Sequence, residues 1–137
     1  MKVTQLTVFL EKRSGRLAEV ADVLGRAQLV IRGFSTTDAD EYGIVRLIVS
    51  EPERAHAVLQ EAGFTTSISH VLCIRVPEEA GGLAGVLDVL ADEGVVVDHL
   101  YSISTMNICV ATRDVDTAAE LLRGRLTLLD DDEVACL

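Results

Sequence analysis

The chain has 137 residues, 49% of them hydrophobic, and a formal net charge of −10 at pH 7. That composition supplies a globular core, while no apolar run approaches the roughly 18 residues a membrane helix needs. An acidic surface repels phosphate backbones, which disfavours nucleic acid as a partner.

Thr4, Gln5 and Thr7 interrupt the apolar residues after Met1 and Lys2, so no signal peptide is read there. A soluble, cytoplasmic protein with no membrane partner is expected. Charge is uneven along the chain: residues 1–70 carry 8 basic and 9 acidic side chains, residues 71–137 carry 4 and 13. Cys73, Cys109 and Cys136 each sit among aliphatic residues in strand-like runs, without a Cys-x-x-Cys pair. They are read as core residues rather than redox or metal groups.

In chain order, Val3 to Leu10 alternates apolar and polar residues, the period-two pattern of a half-buried strand. A first helix is expected from Gly15 to Ala27. Leu29–Thr37 and Ile44–Val49 then read as a hairpin around the turn formers Asp38 to Gly43. Ser50-Glu51-Pro52-Glu53 has the form of a capping box opening a second helix, which Gly63 closes. Phe64 to Val76 has no turn signal and reads as one long strand. A loop from Pro77 to Gly82, a helix over 83–93 and a shorter hairpin (Val95–Ser104, Met106–Thr112) follow. A helix from Asp114 to about Arg123 comes next, and Glu133–Leu137 is expected to be a final edge strand. The run Asp130 to Glu133 is read as a solvated turn before it.

The same unit is written twice. Leu17, Val20, Ala21 and Leu24 after Gly15 are repeated as Leu83, Val86, Leu87 and Leu90 after Gly81, a shift of 66. Ala55, Val58 and Leu59 answer to Ala118, Leu121 and Leu122, a shift of 63, so the second copy lacks three residues between its helices. A repeated βαββαβ unit follows, with boundaries at 1–70 and 71–137 and no flexible linker. A unit this small buries only about 60% of its unfolded surface, so it gains from pairing.

At the two glycine loops the chain resembles the ACT domain family, small regulatory modules attached to many enzymes of amino-acid metabolism. The stretches that carry the resemblance are Ser14-Gly15-Arg16-Leu17 and Ala80-Gly81-Gly82-Leu83; glycine and leucine match the family, whereas its preceding proline is missing from both. The resemblance covers nearly the whole chain as two units in tandem. It implies an α+β fold of two ferredoxin-like units, each an antiparallel sheet with helices on one face. It also implies a regulatory, allosteric role in which units pair and bind an amino acid at their joint. Many ligand-binding members carry an Asn just after the first helix; Val30 and Val96 stand there instead.

The candidate ligand-binding residues are therefore Glu11, Ser14, Gly15, Arg16 and Leu17 in the first loop. Ala80, Gly81, Gly82 and Leu83 are their counterparts in the second, and Asp98 could accept from an amino group. Backbone N–H groups at a helix start form a cradle for a carboxylate. Glu11, Lys12, Arg13 and Arg16 give the first loop a local charge of +2, against −2 from Glu78 and Glu79, so the first loop is favoured.

No histidine falls in a ligand-like spacing and no phosphate-binding glycine loop is present, so neither metal, cofactor nor catalysis is expected. Two readings stay open. One is a non-catalytic sensor that binds a small amino acid, forms a homodimer and acts on an enzyme or regulator of amino-acid metabolism. The other is a structural or interaction module that pairs through sheet edges without any small ligand.

Overall fold

Leu6, Val8 and Leu10 alternate along the first strand, β1 (Val3–Glu11), and all three are buried. They define the helix-facing side of a unit spanning Thr4–Ser69. The computed structural model describes residues 1–39, 42–104 and 106–137. Positions 40 and 41, at the expected tip of the first hairpin, and 105, in the second, lie outside the described residues.

After β1 come α1 (Arg16–Arg26), β2 (Ile31–Ala39), β3 (Tyr42–Val49), α2 (Pro52–Glu61) and β4 (Thr65–Arg75). The sheet order in this unit is β2-β3-β1-β4. Val20 and Leu24 of α1 and Ala55 and Leu59 of α2 pack onto Leu6, Val8, Val45, Leu47 and Val49. Pro52 stands at the start of α2 as expected, but the capping box is not formed. Ser50 instead turns its hydroxyl to accept from the Val30 N–H at 3.0 Å, tying the end of β3 to the entry of β2.

The second unit takes in His70–Ala135. Here β4 is followed by α3 (Gly82–Asp92), β5 (His99–Ile103), β6 (Asn107–Ala111), α4 (Val115–Leu122), β7 (Leu128–Leu129) and α5 (Asp131–Ala135). β4 pairs with β6 on one side and with β7 on the other, and β5 lies beyond β6. The core repeats the first: Leu72, Ile74 and Val76 meet Val86, Leu90, Ala118 and Leu122.

The duplication holds at the level of single hydrogen bonds. The Glu19 N–H donates to the Gly15 carbonyl at 3.0 Å, and the Gly85 N–H to the Gly81 carbonyl at 2.9 Å. Phe34 pairs with Leu47, and Leu100 with Val110. The shift is 66 on the first strand of each hairpin and 63 on the second, so the missing residues come from the hairpin itself.

The expected strand over Glu133–Leu137 is not formed. The chain leaves β7 at Asp130, whose carboxylate accepts from the Glu133 N–H at 2.9 Å while the Glu133 carboxylate accepts from the Asp130 N–H at 3.2 Å. That is a reciprocal capping box, and the acids of the first turn suit the positive end of α5. The acidic run thus starts a helix rather than preceding a strand. Cys136 is exposed in consequence, whereas Cys73 and Cys109 are buried as expected.

Candidate functional site

The two glycine loops share one construction. Gly15 and Gly81 precede α1 and α3 with φ of +88° and +81°, left-handed values open to glycine at little cost. Neither helix has a side-chain cap. The Arg16 N–H donates to the Arg13 carbonyl at 3.4 Å and the Gly82 N–H to the Glu79 carbonyl at 3.0 Å, so the donors left to each first turn are the N–H groups of Leu17 and Ala18 and of Leu83 and Ala84.

In the first unit the loop borders a cavity of about 250 Å³. Glu11, Lys12, Arg13, Arg16 and Leu17 line it from the loop side, and Thr36, Gly43, Ile44 and Val45 from the β2–β3 hairpin. Ser14 and Gly15 lie between these residues in the chain and are exposed. Glu11 pairs with Arg13 at 3.4 Å. Arg16 is held more firmly: its guanidinium meets Glu19 at 2.6 Å and lies 4.5 Å over the Phe64 ring. Its side chain is only 17% exposed, so much of the charge expected to act on a ligand is spent inside the unit.

The second loop departs from its sequence reading in charge. Ala80, Gly81 and Leu83 are exposed and Gly82 is buried. Gly81 and Gly82 line a cavity of about 310 Å³ together with Glu79, Arg75 and Arg125. Counting only Glu78 and Glu79 missed both arginines, which arrive from β4 and from the turn after α4. Arg125 pairs with Glu93 at 2.7 Å and Asp92 at 3.5 Å, and the Glu93 hydrogen bond pushes its pKa up. Arg75 forms no ion pair among the described residues. The repeat register could have exposed it, because Arg75 stands where the first copy has Phe9.

Asp98 is not brought to the loop of its own unit. Ile103 and Arg75 both neighbour Asn107, whereas His99 neighbours Ala111. Asp98, just before His99, therefore lies beyond the other end of β5, roughly 16 Å from Ile103 at about 3.3 Å per residue. Val30 and Val96, at the positions matched to the family's asparagine, are exposed.

Cys73 and Cys109 stand directly opposite each other across β4 and β6. A hydrogen bond donated by the Cys109 thiol to Cys73, together with burial, pushes its pKa far up, so it behaves as a packed apolar group rather than a nucleophile. His56 meets the Thr66 hydroxyl at 2.7 Å, and His99 stacks on Tyr101. Among the described residues no group of three or more His, Cys, Asp or Glu could hold a metal ion, and no helix is long and apolar enough to cross a membrane.

Comparison with known proteins bears on this architecture. Curated proteins provide no match. A structure of a Bacteroides thetaiotaomicron protein is 33% identical, with a TM-score of 0.92 over 100% of this chain and 98% of that one. The ligand-free regulatory subunit of aspartate kinase from Thermus thermophilus shares the fold at 13% identity and a TM-score of 0.62, over 87% and 89% of the two chains. Escherichia coli aspartokinase III, in complex with lysine and aspartate, does so at 20% identity and 0.51, over 89% of this chain and 30% of that one. The family model described as an ACT domain pair matches residues 1–137, and the chain belongs to that family.

Proposed function

We propose that the protein is a non-catalytic sensor that binds a small amino acid at the first glycine loop and passes its occupancy to an enzyme or regulator of amino-acid metabolism. The cavity of about 250 Å³ between the turn into α1 and the β2–β3 hairpin carries this reading. A carboxylate there faces the first-turn N–H groups of α1 and the positive end of its dipole, with Lys12 and Arg13 alongside. Glu11, on the same wall, is the nearest acceptor for an ammonium group; Asp98 would have to come from a second copy. Ile44, Val45 and Leu17 offer the side chain an apolar surface. Two neighbours of the same fold lend support, one a regulatory subunit and the other in complex with amino acids.

A thermal-shift panel of the twenty amino acids tests this. A ligand at about 100 times its dissociation constant adds roughly 2.7 kcal/mol, a clear rise in melting temperature. Leu17→Glu, at a site 49% exposed, sets a carboxylate among the same donors without opening the core. The shift should vanish in that variant while its unliganded circular dichroism spectrum stays that of wild type. No shift with any amino acid on the wild-type protein overturns the sensor, and an undiminished shift in Leu17→Glu removes the ligand from this loop.

A second copy of the chain is the partner we assign to the apolar surface each unit leaves open. Phe34 on the edge strand β2 is 65% exposed, and its counterpart Leu100 on β5 is 37% exposed. Leu17, Leu83 and Leu87 on the adjoining helices are exposed as well. A free edge beside exposed apolar residues is the surface that homodimers cover. Light scattering should return twice the chain mass of 14.8 kDa, and Phe34→Asp should return the single mass. A wild-type protein of single mass at micromolar concentration contradicts the assignment.

A further inference from the structure

Cys73 of β4 and Cys109 of β6 lie directly opposite each other in the second unit, and the register fixes how closely they meet. The Val76 N–H donates to the Met106 carbonyl at 2.8 Å, whereas the Arg75 N–H turns the other way, to the Thr127 carbonyl at 3.0 Å. Hydrogen-bonded and open pairs alternate along an antiparallel ladder. Val76 with Met106 is a bonded pair and Ile74 with Ile108 is the next, so Cys73 with Cys109 is an open one. In open pairs the Cα atoms approach to about 4.5 Å, inside the span of about 4.4–6.8 Å that a disulfide bridges. Both side chains are fully buried, and the Cys109 thiol donates its hydrogen bond to Cys73.

The first unit is built differently at this place. A shift of 66 brings Cys73 onto Thr7 and a shift of 63 brings Cys109 onto Arg46, which also face each other. Both are half-buried, and Arg46 reaches the Thr37 hydroxyl at 2.9 Å. One copy thus sets a polar pair here and the other two thiols. On its far side Cys73 pairs with Leu129 of β7, a strand of two residues. So short a pairing opens more readily than the centre of a sheet, and its opening admits an oxidant the size of water.

We propose that Cys73 and Cys109 form a redox modification site, a dithiol that hydrogen peroxide closes to a disulfide and a thiol reductant reopens. The electron-rich sulfur is that of Cys73, which accepts the hydrogen bond, so it makes the first attack. It breaks the O–O bond of the peroxide, giving the Cys73 sulfenic acid and one water. The Cys109 sulfur then attacks the Cys73 sulfur, and the departing hydroxide takes the Cys109 proton as a second water. Two thiols lose two electrons and one peroxide gains them. At rest Cys109 is no nucleophile; the leaving hydroxide supplies the base it lacks. The bond staples the β5–β6 hairpin to β4, and dithiothreitol reverses it by exchange.

Peroxide treatment of the folded full chain carrying Cys136→Ser tests this, since that replacement removes the exposed thiol. The intact chain should become lighter by two hydrogens, with no thiol left to titrate in denaturant. Tryptic cleavage after Arg75 should yield the Cys73 peptide joined to the Cys109 peptide, and dithiothreitol should part them. Adding Cys109→Ala should raise dimedone capture at Cys73 by about fivefold or more, because the sulfenic acid then has no thiol to resolve it. Adding Cys73→Ala should leave Cys109 unlabelled. The first measurement keeps the pair intact, so it decides the proposal even if an alanine variant fails to fold. Two thiols surviving a peroxide dose that oxidises Cys136 in wild type overturn it. So does a Cys73 sulfinic acid beside an unchanged Cys109 thiol, or a disulfide that forms only in urea.

Discussion

Gly82→Ala is expected to destabilise the protein by about 3 kcal/mol, the upper part of the range for forcing an atom into a filled site. The position is the first of α3, and its N–H donates to the Glu79 carbonyl at 3.0 Å. A Cβ there would press into the Pro77 carbonyl oxygen, far inside van der Waals contact, and stand 3.1 Å from the Pro77 carbonyl carbon. Both are backbone atoms, so no side chain can swing aside to relieve the clash. Gly85, one turn further along the same helix, supplies the control, since a Cβ there meets nothing within 4 Å. Gly85→Ala should stabilise by about 0.8 kcal/mol, because alanine loses less backbone freedom in a helix. Urea unfolding followed by circular dichroism separates the two. Equal midpoints for both variants would show that the loop yields and that the glycine serves only the chain's conformation.

The first unit explains why position 82 could not be understood from its own loop. Arg16 occupies the matching place and keeps a long side chain there, folded back onto Phe64. Glu11 stands where the second copy has Pro77, so the two replacements are coupled: where proline brings its carbonyl over the helix start, only glycine fits beneath. The Gly-x-Leu resemblance marks both loops as alike. Their difference lies one residue past the left-handed glycine.

Much of the fold was legible because duplication doubles each signal. The helices, the long strand from Phe64 to Val76 and the shorter second hairpin could be checked against a second copy 66 or 63 residues on. The C-terminal end failed because the check was made on side-chain type. His70 to Ile74 and Glu133 to Leu137 look alike in hydrophobicity, but only the second is preceded by an aspartate three residues before a glutamate. That pairing of side chain and N–H closes a helix start. The site was legible only in its backbone. Loop glycines announce donors at helix starts, whereas Arg75 and Arg125 reach the second loop through the sheet and a distant turn, and local charge counting cannot see either.

The apolar stripes of α1 and α3 were legible as stripes but not as two surfaces. Val20 and Leu24 are buried, whereas Leu17, on the same stripe, is 49% exposed. In α3, Val86 and Leu90 are buried while Leu83 and Leu87 are exposed. Each helix is thus more apolar than its own core requires, and the surplus recurs at Leu17 and Leu83, while Leu87 answers to the smaller Ala21. A stripe this wide serves two surfaces, one inside the unit and one facing out.

Leu24→Ala should therefore cost about 3 kcal/mol and Leu17→Ala no more than about 0.5 kcal/mol, although both leucines lie on one stripe of one helix. Leu24 is fully buried in the cluster that joins α1 to β1, β3 and α2. Its removal forfeits the transfer energy of the side chain and leaves a cavity that the strands cannot close. Against a net stability of about 5–15 kcal/mol for a typical folded protein, that is a large share of the margin. Leu17→Ala should act elsewhere, lowering the self-association measured by light scattering while the urea midpoint at low protein concentration stays put. If both replacements cost the same stability, the outer half of the stripe belongs to the core, and the surface assigned to a second copy loses its helix.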